Sequence, residues 1–138
     1  MDSQYTLYTG PTPNGRKVAI ALEEMQLDYH VEHVDILAGD QHKPEFLARC
    51  PNNKFPVLID PDGPGGEELV LWESGAILWY LAEKTGKFLP AKGAARHEVH
   101  QWLMFQMAAL GRCSGSLRTF TITPKRSIPT RSLDMETK

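Results

Sequence analysis

Pro51-Asn52-Asn53-Lys54-Phe55-Pro56-Val57-Leu58-Ile59, then Glu68-Leu69-Val70-Leu71-Trp72, then Glu73-Ser74-Gly75-Ala76-Ile77-Leu78, is the stretch that decides the fold of this chain. Its two β-branched and apolar runs are separated by Asp60-Pro61-Asp62-Gly63-Pro64-Gly65-Gly66, where proline pre-sets φ and glycine permits positive φ. They form an antiparallel hairpin. From Glu73 to Lys84 the apolar period lengthens to that of a helix, and Gly86 supplies a left-handed cap to end it.

Upstream, Tyr5-Thr6-Leu7-Tyr8 is a strand that stops at the turn formers Thr9-Gly10-Pro11-Thr12-Pro13-Asn14-Gly15. Val18, Ile20, Ala21, Leu22 and Met25 then share one helical face opposite Glu23 and Glu24, predicting a helix from about Asn14 to Gln26. The alternation of Tyr29-His30-Val31-Glu32-His33-Val34-Asp35 predicts a half-buried strand. A polar loop leads to a short helix, Pro44 to Arg49, with proline at the first helical position, where its missing N–H costs nothing. The order is βαβαββα, an α/β domain. Beyond a linker around Phe88 to Gly93, an amphipathic helix runs from about Ala94 to Leu110 and is too apolar to stand alone.

The 138 residues accommodate one compact domain and some extra, and the 41% hydrophobic and 23% charged content is that of a globular chain. A net charge of −2 gives no electrostatic footprint for nucleic acid or an anionic membrane, so the expected partner is a small molecule or a protein. No basic-then-apolar leader opens the sequence, and no apolar run approaches the roughly 20 residues that span a bilayer. A cytoplasmic location is expected. Cys50 and Cys113 are too few and too isolated for a disulfide framework or a metal site. Cys50 has no CxxC partner and reads as a buried structural thiol; His97 and His100 lack an evident third ligand and read as surface residues, so no metal is expected.

Four local motifs sharpen the pattern: Thr12-Pro13-Asn14-Gly15, Pro51-Asn52-Asn53-Lys54-Phe55-Pro56, Leu71-Trp72-Glu73-Ser74-Gly75-Ala76-Ile77 and Tyr80-Leu81-Ala82-Glu83-Lys84. With the βαβαββα order and a proline opening the third strand, the chain from about Tyr5 to Gly111 resembles the thioredoxin-like N-terminal domain of glutathione transferases. The wording is most similar to the bacterial nu-class enzymes and their disulfide-bond reductase relatives. The resemblance implies a mixed four-stranded sheet, a glutathione-binding domain over residues 1–88, and, over 89–111, a linker and the first helix of an otherwise missing all-α domain. In the family that domain supplies the electrophile pocket and much of the dimer contact, so a homodimer is expected only if it were complete.

The resemblance also assigns roles. A cis bond before Pro56 would expose the backbone of Phe55 to strand-like pairing with the cysteinyl unit of glutathione, the co-substrate. Glu73 and Ser74 stand where a strand turns into a helix, and there Ser74 would bind the γ-glutamyl carboxylate and Glu73 its ammonium. Ser74 can equally act as a helix cap. Thr12 and Asn14 would hydrogen-bond the glutathione sulfur; lowering a thiol pKa by one unit takes about 1.36 kcal/mol, within reach of one charge-assisted bond and a helix end. Both are also ordinary turn and cap residues. Gln41, Asn53 and Lys54 would be secondary contacts to the peptide and its glycyl carboxylate. Tyr5 and Tyr8 belong to the strand before the catalytic turn, although Tyr8 keeps a claim from the tyrosine-type enzymes. Trp102, Met104, Phe105 and Met107 read as helix-packing or dimer surface.

From Gly111 the composition shifts abruptly to Thr, Arg, Ser and Pro without a period. Arg112-Cys113-Ser114-Gly115-Ser116, written CGA TGT TCG GGC AGC after a glycine codon ending in C, regenerates in another frame the Pro-Met-Phe-Gly-Gln that the family would lead one to expect. Loss of one nucleotide at Gly111 would leave residues 112–138 as an aberrant tail whose composition predicts disorder. Three readings follow: a glutathione-dependent transferase or disulfide reductase, a non-catalytic glutathione-binding or protein-interaction module, and an inactive frameshifted remnant.

Overall fold

The computed structural model describes residues 5–110; the expected disordered tail, Arg112 to Lys138, lies outside them. Strands β1 (Tyr5–Thr9), β2 (Tyr29–His33), β3 (Val57–Asp60) and β4 (Leu69–Trp72) form one sheet in the order β2-β1-β3-β4. β1 and β2 are parallel, whereas β3 runs antiparallel to both β1 and β4, so the sheet is mixed. This is the thioredoxin-like arrangement expected from the sequence. Helices α1 (Pro13–Met25), α2 (Pro44–Leu47), α3 (Ser74–Thr85) and α4 (Ala94–Phe105) complete the βαβαββα order and add one helix beyond it.

Register determines where each side chain goes. Leu7 pairs with Leu58 and Tyr8 with Val57, and alternation sends successive side chains to opposite faces. Leu7 and Leu58 therefore enter the larger core, with Val18 and Leu22 of α1 and Ile77 and Leu81 of α3, all six inaccessible to solvent. Val57 and Tyr8 enter a smaller cluster on the other face with Val34, Phe46 and Cys50. Each fully buried aliphatic side chain contributes about 1.5–3 kcal/mol relative to exposure.

Helix α1 ends at a left-handed Gln26 (φ 58°), and Leu27 N–H closes the last turn on the Leu22 carbonyl at 3.0 Å. α3 ends at Gly86, also left-handed, as expected. One expectation fails: in β2 only Tyr29 is half-buried, and residues 30–33 are exposed. β2 is an edge strand paired only with β1, and the apolar stripes of α1 and α3 cover β1 and β3 instead. α4 packs less completely. Arg96 ties it to the body by pairing with Glu83, donating to the Pro90 carbonyl at 3.2 Å and lying 4.8 Å over the Trp79 ring. His97 and His100 are exposed, the latter ring 4.7 Å from that of Trp79.

A polar clasp joins the hairpin to α3. Asp60 at the end of β3 is 1% exposed and accepts from Tyr80 Oη at 2.7 Å, from Lys84 Nζ at 2.6 Å and from the Asp62 N–H at 2.9 Å. Burial alone would raise the Asp60 pKa, but the bonds from Lys84, Tyr80 and Asp62 and the lysine charge outweigh it and hold the carboxyl below its ordinary range. Burial and the bond to Asp60 push the Tyr80 phenol up to about 12.

Replacing Lys84 by methionine leaves that carboxylate buried without its cation. A fully enclosed pair costs about 3–5 kcal/mol to break, and about 2–3 kcal/mol is expected here because the lysine end is screened by solvent. The Asp60 contribution is complete above the ordinary carboxylate value of about 3.9 and is lost as pH falls through its depressed folded-state value. Urea unfolding of the wild type and Lys84→Met should therefore differ fully at neutral pH and converge in acid.

Candidate functional site

Three chain segments meet at one end of the sheet. The first is the β1–α1 turn, where Thr12 sits in extended conformation (φ −116°, ψ 154°) and its Oγ1 accepts the Gly15 N–H at 3.2 Å, with Pro13 at the first helical position. That bond uses an oxygen lone pair and leaves the hydroxyl proton free to donate. Gly15 has no room for a side chain: a Cβ would lie 2.1 Å from Thr9 Oγ1. The second segment is Phe55-Pro56, joined by a cis peptide bond as expected from the sequence. Phe55 precedes the ladder, whose first pair is Val57 with Trp72, and its ring would touch any Cβ on Gly10, at 2.8 Å.

The third segment is the β4–α3 junction. Glu73 has φ 73° and ψ 112°, an unfavourable backbone for a residue other than glycine. Strain of this kind, of order 1–3 kcal/mol, persists where the surroundings fix it and clusters at functional sites. The Glu73 carboxylate accepts from Asn52 Nδ2 at 3.3 Å, and Ser74, the first residue of α3, is 2% exposed. Register brings these segments together, because pairing Val57 with Trp72 sets Glu73-Ser74 beside Pro56.

Two adjoining depressions result. One, of about 440 Å³, is lined by Thr12, Asn14, Gln41, Asn53, Lys54 and Phe55 among others; the second, of about 40 Å³, by Asn14, Lys54, Phe55, Pro56, Glu73 and Ser74 together with Cys50, Asn52 and Trp72. All nine residues singled out from the sequence line one or the other, with Asn14, Lys54 and Phe55 common to both. Gln41, which lines the first depression, has its Oε1 buried without a hydrogen-bond partner among the described residues. Asn53 is left-handed (φ 48°) and its Nδ2 lies 3.2 Å from His42 Nδ1.

Tyr8 lines neither depression; its ring packs on Phe46 at 6.3 Å and beneath Arg49 at 5.0 Å. Cys50 is buried, as expected, and its Sγ donates to the Lys54 carbonyl at 3.1 Å. Among the described residues no group of three or more histidine, cysteine or acidic side chains could hold a metal ion. Sequence reasoning missed two residues against the site. Lys17, one turn beyond Asn14, donates to Gln106 Oε1 at 2.9 Å, and Met107 lies on Ser74. Trp102, Met104 and Phe105 stay exposed, so Met107 parts from the cluster with which its spacing groups it. An apolar groove of about 430 Å³ runs between α1, α3 and α4, lined by Lys17, Ile20, Leu78, Trp79, Val99 and Leu103 among others. No helix among the described residues is long and apolar enough to cross a membrane.

Residues 3–83 match the family model for the glutathione S-transferase N-terminal domain. The chain is 48% identical over 124 residues to the disulfide-bond oxidoreductase YfcG of Escherichia coli, covering 89% of this chain and 58% of that protein. Among solved structures, a glutathione transferase family member from Pseudomonas fluorescens with two glutathione bound superposes with a TM-score of 0.80 at 53% identity, over 81% of this chain and 49% of the other. A glutathione transferase from Pseudomonas putida with one glutathione disulfide bound per subunit gives 0.78 at 51%, over 81% and 49%. The chain thus spans about half the length of these relatives.

Thr12→Ala removes the acceptor that caps α1 and should cost about 1 kcal/mol in urea unfolding without any ligand, while Thr12→Ser should keep most of it. Equal midpoints for all three proteins would mean that the cap contributes nothing.

Proposed function

The chain belongs to the glutathione S-transferase family through its N-terminal domain, and from that premise we propose that it binds glutathione across the two depressions and uses the thiol of that peptide to reduce disulfides. The observation that carries this reading is that Thr12 lines one depression and Pro56 and Ser74 the other, the two sharing Asn14, Lys54 and Phe55. The cysteinyl unit pairs with the backbone of Phe55, which precedes the β3 ladder, as an extended peptide adds to a strand. Its γ-glutamyl carboxylate takes the Ser74 hydroxyl and the N–H groups opening α3, and its ammonium takes Glu73. Lys54, Gln41 and Asn53 face the glycyl end.

This arrangement leaves the sulfur near Thr12 and Asn14. The Thr12 proton, not used by the cap, donates to the thiolate and favours it over the thiol. The thiolate attacks one sulfur of a disulfide, forming a mixed glutathione disulfide and expelling the other sulfur as thiolate, which takes a proton from solvent. A second glutathione attacks the glutathione sulfur of that mixed disulfide, so two glutathiones become one glutathione disulfide and the substrate becomes two thiols. The names of the relatives support this: one is an oxidoreductase of disulfide bonds, and others hold two glutathiones or a glutathione disulfide. Conjugation to an electrophile would use the same thiolate. A location in the cytoplasm, where glutathione is kept reduced, suits either reaction.

A binding module without turnover is the second reading. It is favoured by the open apolar groove between α1, α3 and α4. Glutathione affinity without reduction of a small disulfide would select it.

Millimolar glutathione should raise the thermal midpoint of the protein, since a ligand at a hundred times its Kd adds about 2.7 kcal/mol, and Ser74→Ala should abolish the rise. Thr12→Val should keep glutathione bound but raise the pKa of the bound thiol by about one unit, about 1.36 kcal/mol, read from the thiolate absorbance. A midpoint indifferent to glutathione would overturn the proposal.

A further inference from the structure

After Phe105 helix α4 widens into a π-helical turn, Gln106–Leu110, from which Gln106 meets Lys17 of α1 and Met107 reaches the start of α3. Met107 rests on Gly75: a Cβ there would lie 2.9 Å from Met107 Cγ and 3.0 Å from its Sδ. Only glycine admits so close an approach. The sulfur then receives two donors from different helices, Ser74 Oγ at 3.7 Å and Lys17 Nζ at 3.5 Å.

A thioether is a weak acceptor for such company. One donor is a nearly inaccessible hydroxyl; the other is a half-buried ammonium, its pKa lowered by burial and partly restored by the Glu73 carboxylate. A hydroxyl and a cation that reach one point suit a carboxylate oxygen, whose charge-assisted bonds are roughly twice as strong as neutral ones. Serine has a single proton to donate, so its hydroxyl cannot serve the thioether and a carboxylate together.

We propose that Lys17 is a binding residue of this site and that Met107 is its exchangeable occupant: the γ-glutamyl carboxylate of glutathione displaces the Met107 thioether and takes the Ser74 hydroxyl and the Lys17 ammonium together. This rests on the glutathione reading above. Gln106 keeps its own bond to Lys17 and holds the ammonium in place while Met107 rotates away. The end of α4 is thereby coupled to occupancy of a site on α3.

The test uses the full chain with its five methionines labelled at the methyl carbons, the Met107 resonance being identified by its loss in Met107→Leu. Glutathione should shift that resonance saturably. Lys17→Met should weaken glutathione binding by about tenfold, yet leave the affinity for cysteinylglycine, which lacks the γ-glutamyl carboxylate, unchanged. Saturable binding with an unmoved Met107 methyl, or with Lys17→Met as tight as wild type, overturns this assignment alone. No glutathione-dependent change of any kind in the wild-type protein overturns it together with the glutathione reading.

Discussion

The antiparallel pairing of β3 between β1 and β4 is the constraint on which everything else rests. Its register, Tyr8 with Val57 on one side and Val57 with Trp72 on the other, decides which of Val57 and Leu58 faces α1 and α3. A slip of one residue would exchange the two faces and send Leu58 into the small cluster under α2. The same register fixes the site, because it sets the turn before β3 beside the turn after β1 and the turn after β4. Core and groove are two results of one alignment of strands.

Much of this was legible in the residues themselves. The change of period at Glu73, the turn formers from Asp60 to Gly66 and the proline at the start of α2 marked the elements to within a residue or two, since each is a local preference with a local cause. Eight of the nine candidate residues came from three short motifs and Gln41 from the loop between them, and the fold gathers them although they are spread from Thr12 to Ser74. What stayed hidden depends on contacts between distant segments. The alternation of β2 promised a buried face, but alternation cannot say whether a strand is central or at an edge. Tyr80 and Lys84 stood out as a motif without a purpose until Asp60 was found between them. Met107 belonged by spacing to an exposed face, and only the widened last turn of α4 carried it onto Gly75.

The groove is assembled almost entirely from devices that the fold requires anyway. Thr12 caps α1, Ser74 begins α3, Glu73 takes the sharp backbone that joins β4 to α3, and Phe55 fills the space that Gly10 leaves. Each of these groups has a structural duty that uses only part of its bonding capacity. The Thr12 hydroxyl accepts within the protein and can still donate outward, and the buried Gln41 carbonyl oxygen has no hydrogen-bond partner among the described residues. Rigid elements thereby hold the polar groups in place before anything binds.

All nine candidate residues fall between Thr12 and Ser74, while the apolar groove of α1, α3 and α4 lies apart from them. The nine residues of the proposed peptide site and any surface contributed beyond α4 are therefore written in separate stretches of the gene. Point changes, exchanges of segments or rearrangements downstream of the Gln106–Leu110 turn can alter the neighbouring surface while the nine residues, and the contacts of Lys17 and Met107 at Ser74, stay intact. A fold divided in this way is well suited to acquiring new chemistry by recombination.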